Sequence, residues 1–465
     1  MRTVISNAIR IENPSEEIMR WCKEFLVISN PEYAKKQRMH LWTGNTPPRL
    51  TLYEMNGDGI TLPFGTFRSI YPMLRRGEIK SDFQSPQVVD YGESVPLYDY
   101  QQLAVDQMHA ARYGILQSPA GSGKTQMGIA LIKRYGRKAL WLTHTQDLLR
   151  QSRERAQRYM NARLLGTITD GKVSIGKGIT FATVQTMSRL DLAYYRNEWD
   201  VIIVDECHRV AGTPTSMTQF YKVLNNLAAR HKYGLSATVH RADGMILATY
   251  ALLGHVVHIV PDEAVADKVM KVGIRPIGTR TQLSNECLNT DGTLNYTKFV
   301  NYLCNDLERT HYIGRWIISE STHPSLILSD RLNHLEALMN TLPAAMRESS
   351  VMISGKMNSK KGKAEREQAI EDMRTGRKRY LFATYSLAKE GLDIPCLERL
   401  FLASPVKDYA IVVQSIGRIA RRCDGKCSPV VIDFVDDIGY AQRCFRQRMR
   451  HYKKAGAYLL QEKED

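Results

Sequence analysis

The chain has 465 residues, 43% hydrophobic and 24% charged, with 64 Lys and Arg against 48 Asp and Glu for a formal charge of +16. That length exceeds one typical domain and that balance excludes a disordered chain. No run of about 18 apolar residues occurs, so a membrane span is not expected, and the positive excess favours a polyanionic partner, nucleic acid before membrane.

Met1–Arg10 lacks the charged-then-apolar pattern of a secretory signal, which implies a cytoplasmic protein. Residues 1–92 mix a helical stretch, Ser15–Leu26, with strand-like runs at Arg49–Tyr53 and Gly59–Leu62. Pro47-Pro48 and Asn56-Gly57 mark turns between them. This reads as a small α+β accessory domain. Its Arg68, Arg75 and Arg76 are candidates for DNA contact, and its aromatics Trp42, Tyr53, Phe64, Phe67 and Tyr71 mostly for a core.

From residue 93 continuous apolar runs alternate with helical periodicity. They are Tyr113–Gln117, Lys138–His144, Ile179–Val184, Val201–Val204 and Tyr233–Ser236. After a less regular stretch, Asp262–Thr322, they resume at Ser325–Ser329, Val351–Ser354, Tyr380–Thr384, Leu400–Ser404 and Val430–Val435. Runs without polar alternation suit strands buried on both faces of a parallel sheet. The expected architecture is α/β, with tandem parallel-sheet domains at 93–262 and 263–465.

Ser118–Thr125, Ser-Pro-Ala-Gly-Ser-Gly-Lys-Thr, joins a predicted strand to a predicted helix. That is the context of a phosphate-binding P-loop. Gly121 and Gly123 permit the tight turn, and Gly121, Ser122 and Gly123 offer backbone N–H groups to phosphate. Lys124 is expected on the β- and γ-phosphates of ATP and Thr125 on Mg²⁺. Ser118 stands at the strand end, where the loop demands least. Upstream, Gln101 is expected to read the adenine edge, with Tyr98 able to stack on the base. The strand ending in Asp205 and Glu206 supplies the rest: Asp205 for Mg²⁺, Glu206 to polarise the attacking water. His208 is placed to link these groups to a neighbouring element.

Asp205-Glu-Cys-His208, followed by Ser236-Ala237-Thr238, resembles motifs II and III of superfamily-two helicases. Ala383-Thr384-Tyr385 with Glu390–Pro395 resembles motif V, and Gln414–Arg422 resembles motif VI. The resemblance spans roughly residues 95–435 in family order. It implies two tandem RecA-like domains. It gives Ser236, Ala237 and Thr238 a coupling role, and connects Gly391 and Asp393 to the nucleotide. It also places Thr145, Thr183, Gln185 and Thr384 on nucleic-acid phosphates. His144 stands where the family has Pro. Arg241-Ala242-Asp243 resembles the Arg-Glu-Asp triplet of the XPB-like group, with Ala for Glu, and Arg241 is carried over as a nucleic-acid contact.

Arg418 and Arg421 fall one turn apart on a predicted helix. They suit a γ-phosphate reached across a cleft, with Gln414 ordering the network. The tail Arg443–Lys454 reads either as a basic helix on a DNA backbone or as a solvated face.

The size, and the small first domain, resemble UvsW-type helicases of tailed phages. That resemblance implies a monomeric motor on branched or forked DNA. A duplex translocase, an RNA helicase and a low-turnover ATP-switched clamp stay open. Eight cysteines lack the paired spacing of a zinc knuckle, Cys423, Cys427 and Cys444 with His451 included, and are read as structural.

Overall fold

The computed structural model describes residues 1–465 apart from 75–77, 85–86, 120, 211–213, 240–243, 267–269, 356, 358–359, 390–391, 393, 407–408 and 461–465. They form two units, Met1–Pro261 and Asp262–Asp465.

The first unit holds two main sheets. The smaller has strands in the order Glu54–Asn56, Gly59–Pro63, Ala8–Glu12, Arg2–Ile5 and Glu78–Ser81, antiparallel except for the last pair. Ile9, Ile11, Ile60 and Leu62 alternate onto one face. There they meet Ile18 and Cys22 of helix Glu16–Phe25 and Ile70 and Leu74 of helix Phe67–Leu74. The cluster continues into Met245, Ala248 and Ala251, beside and on helix Ile246–Leu253. Gly65 makes the approach possible, because a Cβ there would lie 2.3 Å from the backbone nitrogen of Gly254.

The larger sheet runs Lys172–Ser174, Leu165–Thr169, Ile179–Thr183, Ala139–Thr143, Val201–Asp205, His231–Ser236, Gly114–Gln117 and Val256–Ile259. All pairs are parallel except the first, a hairpin. Its central strands are buried along their length, as their unbroken apolar runs require.

The second unit is built on a parallel sheet: Ser350–Ile353, Tyr380–Thr384, Ser325–Ser329, Arg399–Leu402, Val430–Asp436, Gly273–Thr279 and Tyr458–Leu459. The irregular stretch after residue 262 contains the strand Gly273–Thr279 and helices Tyr296–Asn305 and Leu307–Ser319.

One expectation is corrected by burial. Arg448, counted in the basic tail, is 2% exposed. Its guanidinium holds Asp433 through two bonds of 2.8 and 2.7 Å, and donates to Val406 O at 2.7 Å. Arg443, Arg446, Arg450 and Lys453 of the same helix do stay exposed. Arg68 is exposed; its guanidinium lies 4.6 Å over the Tyr113 ring, and its backbone N–H donates to the Tyr113 hydroxyl at 2.9 Å. Arg75 and Arg76 lie outside the described residues.

Lys232 joins the two sheets of the first unit. Its buried ammonium donates to Asn7 O at 2.9 Å and Leu224 O at 2.7 Å, and sits 5.0 Å from the Phe64 ring. Desolvation pushes its pKa down to about 7. Between that value and the ordinary lysine range near 10.4, the unfolded chain holds a proton that the folded chain lacks. This group's contribution to stability therefore rises with pH across that window. Replacing Lys232→Met should remove the slope. The thermal midpoint of the native chain should gain on the variant's between pH 7 and about 9, by on the order of 2 kcal/mol in stability. A gap that is flat with pH would show that Lys232 is not desolvated.

Candidate functional site

Strand Gly114–Gln117 leads into the P-loop and helix Lys124–Tyr135 leaves it. Gly121 and Gly123 take φ of +82° and +84°, a region that strains any other residue. At Gly123 a Cβ would also lie 2.4 Å from Gln101 Nε2. Lys124 Nζ donates to the carbonyls of Ser118 and Pro119, each at 3.1 Å. Thr125 follows, half-buried, in the first turn.

Gln101 departs from expectation. It is 2% exposed, and both ends of its amide are engaged inside the chain. Oε1 accepts from Tyr98 N–H at 3.0 Å and Nε2 donates to Ser122 O at 2.9 Å. The Tyr100 hydroxyl reaches the same carbonyl at 3.0 Å. In this arrangement Gln101 props the P-loop rather than facing a base. Tyr98, half exposed and stacked on Tyr100 at 6.0 Å, is the accessible ring beside it. Ser118 matters more than its place at the strand end suggested. Its hydroxyl donates to Ser122 Oγ at 2.6 Å and its N–H to Ser236 O at 2.9 Å.

Asp205 closes the strand Val201–Asp205, and Glu206 turns the chain at φ +49°. A left-handed non-glycine residue costs energy and is kept where its surroundings fix it. Asp205 Oδ1 accepts from Glu206 N–H at 3.0 Å, and Oδ2 from Ser152 Oγ at 3.2 Å. Burial, then the charge of Glu206, push Asp205 up to about 6, while Lys124 and Ser152 pull the other way. A buried carboxylate with a second one beside it suits a hard divalent ion, which needs one or two such groups beside phosphate oxygens. The donor set thus fits Mg²⁺. Ser152 was not legible in the sequence, since it lies on a different helix, Gln146–Gln157.

His208 Nδ1 lies 3.2 Å from Glu206 Oε2 and 3.0 Å from Ser236 Oγ. Ser236 donates its proton to Thr238 O at 2.7 Å and accepts from Thr238 N–H at 3.1 Å. With that proton committed, Nδ1 is the donor to Ser236. A hydrogen-bonded chain therefore runs from His208 through Ser236 to Thr238, around Ala237, with Glu206 Oε2 beside its His208 end. Strand His231–Ser236 lies between the P-loop strand and the Asp205 strand.

The residues expected on nucleic acid sit at C-terminal strand ends, where open parallel sheets bind ligands. Thr145 caps helix Gln146–Gln157, accepting from Leu148 N–H at 3.3 Å. Gln185 Nε2 donates to His144 O at 2.8 Å and ties these loops together. Burial, then Arg209 and His208, hold the His144 ring below its ordinary pKa, so it stays a neutral acceptor. Thr183 is 4% exposed and its hydroxyl donates to Thr186 Oγ1 at 2.9 Å. Arg241 lies outside the described residues.

In the second unit Thr384 Oγ1 lies 2.9 Å from Ser386 Oγ, on the rim of an open hollow of about 520 Å³. Asp330, Arg331 and Asn333 line it too. Sequence reading missed Arg331, although a basic residue just past the strand Ser325–Ser329 was the available signal. Gly391 and Asp393 lie outside the described residues, as does the side chain of Gln414. Helix Tyr409–Ile419 carries Arg418 on its last turn, but ends before Arg421. The two are therefore not a helical pair. The ammonium of Lys426 draws the chain out of the helix, donating to Pro395, Ile419 and Arg421 carbonyls at 2.8 Å each.

Comparison with known proteins matches residues 94–241 to the family model "Type III restriction enzyme, res subunit" and residues 308–423 to "Helicase conserved C-terminal domain". Over 401 residues the chain is 24% identical to a putative ATP-dependent RNA helicase, L396, of Acanthamoeba polyphaga mimivirus, covering 83% of this chain and 72% of that one. Over 368 residues it is 25% identical to the DNA 3'-5' translocase XPB2 of Sulfurisphaera tokodaii, covering 71% and 80%. The structure of S. cerevisiae Dbp5 bound to RNA and ADP BeF3 aligns over 86% of this chain and 94% of that one. Its TM-score is 0.55 at 18% identity, a likeness of fold.

If the His208–Ser236 chain beside Glu206 carries nucleotide state, His208→Ala and Ser236→Ala should each leave ATP affinity within about twofold. Nucleic-acid-stimulated ATP turnover should fall by at least about tenfold, or ~1.4 kcal/mol in the barrier. Filter-binding and coupled turnover assays read the two quantities. Parallel loss of affinity and turnover would reduce these residues to a structural role.

Proposed function

We infer that this chain, which belongs to the superfamily-two helicases, is an ATP-driven motor on DNA that processes branched or forked structures. The family match makes it a nucleic-acid-dependent ATPase. DNA, the branched substrate and the individual residue roles are this proposal. The observation that carries it is the hydrogen-bonded chain from His208 to Thr238, with Glu206 beside it, which lies between the two strands that lead to the nucleotide groups. Such a chain gives hydrolysis a way to move backbone outside the nucleotide site.

In this reading Lys124 exchanges its two carbonyl partners for β- and γ-phosphate oxygens. Thr125 and Asp205 hold Mg²⁺, which supplies charge neutralisation on the phosphates. Glu206 orients the attacking water. The pKa of Asp205 near 6 leaves it ionised at neutral pH, ready for a cation. Arg418 stabilises charge on the transferred phosphoryl group, a role worth a factor of about 10³–10⁵. Thr145, Gln185, Thr384 and Arg331 contact phosphates without reading sequence. Support for DNA comes from the +16 charge, from the similarity to XPB2, from the XPB-like motif around Arg241, and from the UvsW-type size and small first domain.

Lys124→Ala and Arg418→Ala should each cut ATP turnover by at least about 10³-fold. Arg418→Ala should retain ATP binding. Normal turnover in either variant removes the corresponding role.

A second experiment tests the substrate. ATP-driven strand separation is compared on a four-way junction, a model fork, a tailed DNA duplex and a tailed RNA duplex, with Lys124→Ala as control. The junction and fork should be resolved at least about tenfold faster than the tailed duplexes. ATP hydrolysis stimulated by duplex DNA with no separation of any substrate would mean a translocase instead. Preference for the RNA duplex would overturn the DNA assignment.

A further inference from the structure

The parallel sheet of the second unit has two edges. Its C-terminal edge carries Arg331 and Thr384. At its N-terminal edge, three neighbouring strands bring together residues distant in the chain. His323 precedes Ser325–Ser329, Glu398 precedes Arg399–Leu402, and Cys427 precedes Val430–Asp436. Their register, Ser325 beside Arg399 and Arg399 beside Val430, sets the three side chains in a row. One ligand-capable atom from each, an imidazole nitrogen, a carboxylate oxygen and a thiol sulfur, all lie within 4.8 Å of one another.

We propose that His323, Glu398 and Cys427 form a binding site for a thiophilic divalent cation, zinc by preference. The set is one that zinc uses, with a fourth position left to solvent. Bonds of about 2.0–2.3 Å around a tetrahedral ion hold the ligand atoms roughly 3.3–3.8 Å apart, inside the envelope that these side chains already occupy. A thiolate and a carboxylate neutralise the two charges of the ion, and a neutral imidazole adds none. Sulfur and imidazole select zinc over magnesium, which the carboxylate pair Asp205 and Glu206 suits better.

The surroundings orient the ligands. Glu398 Oε1 accepts the backbone N–H of Cys427 at 2.9 Å, and Oε2 is hydrogen-bonded to His323 Nδ1. Binding through Nδ1 would place the imidazole proton on Nε2 and release the thiol proton. The nearby cations are already committed. Arg399 Nε donates to Glu320 Oε2 at 2.6 Å and its Nη1 to Ser428 O at 3.1 Å, Arg275 pairs with Glu320 at 2.8 Å, and Lys426 Nζ is held by its three carbonyls. Cys427 is exposed, so the ion can enter from solvent. Once bound, it would tie the loop 422–428, which follows Arg421, to the starts of two other strands. The expectation that Cys427 is merely structural is replaced by this role. Its partners are His323 and Glu398, not Cys444 and His451.

The test uses the full chain, freed of metal by chelation and titrated with Co²⁺ in excess Mg²⁺. One Co²⁺ per chain should give a near-ultraviolet thiolate-to-cobalt charge-transfer band with intense visible bands of tetrahedral geometry, and stoichiometric Zn²⁺ should bleach both. Cys427→Ser should abolish the charge-transfer band, and His323→Ala and Glu398→Gln should weaken binding by at least about tenfold. Cys423→Ser, which changes the other exposed thiol of that loop, should leave the band intact. Thermal unfolding without metal checks that each variant is folded, and Zn²⁺ should raise the midpoint of the native chain but not of folded Cys427→Ser. No thiolate band in the native chain, or a band that survives in Cys427→Ser, overturns the proposal.

Discussion

Burying Asp205 beside Glu206 is the constraint on which the nucleotide-binding unit is organised. Burial, and then the like charge of the next residue, raise the proton affinity of Asp205. The fold offsets this with Ser152 Oγ, the Glu206 N–H and the positive field of Lys124. Each comes from a different element, so Asp205 is held only when those elements are assembled. The left-handed turn at Glu206 belongs to the same arrangement, since it separates the second carboxylate from the first and aims it at His208. An uncompensated anionic pair inside a protein costs several kcal/mol. A cation with phosphate oxygens turns that cost into affinity.

Topology explains why the neighbouring strand is the natural relay. His231–Ser236 pairs with the Asp205 strand on one side and the P-loop strand on the other. Its last residue, Ser236, gives its carbonyl to Ser118 N–H and its hydroxyl to His208. Any shift in either nucleotide element must displace a hydrogen bond of Ser236. Ser118 and Gln101 show the same economy. Both shape the P-loop from beneath through Ser122, one by its hydroxyl and one by its amide.

The parallel sheets were legible because their strands are apolar without interruption, a pattern that burial on both faces demands. Ser325–Ser329 and Tyr380–Thr384 have the same bounds in sequence and structure. Strand Gly273–Thr279 was hidden by Pro276 and Gly278. Among the described residues its neighbour Tyr458–Leu459 pairs with Gly273 and Ile274. Arginines were read by charge alone, and charge does not reveal burial. Arg448 is buried against Asp433, a partner that no spacing rule connects to it. Gln101 and Thr183 follow the motif pattern, yet their polar atoms are engaged within the chain. A motif specifies residue type and place in the chain, whereas hydrogen-bond commitments depend on elements distant in sequence.

The accessory sheet bears on how such a motor would transmit force. Its core is continuous with helix Ile246–Leu253, and Lys232 binds Asn7 from inside the larger sheet. A domain on a flexible tether would let bound nucleic acid lag behind the nucleotide-binding unit. A shared core, with Gly65 allowing backbone-to-backbone approach, removes that freedom. Trp42 of this sheet's domain is 88% exposed, and the basic residues Lys35 and Arg38 precede it in the chain. The shared core makes the accessory sheet and the P-loop sheet parts of one unit, Met1–Pro261.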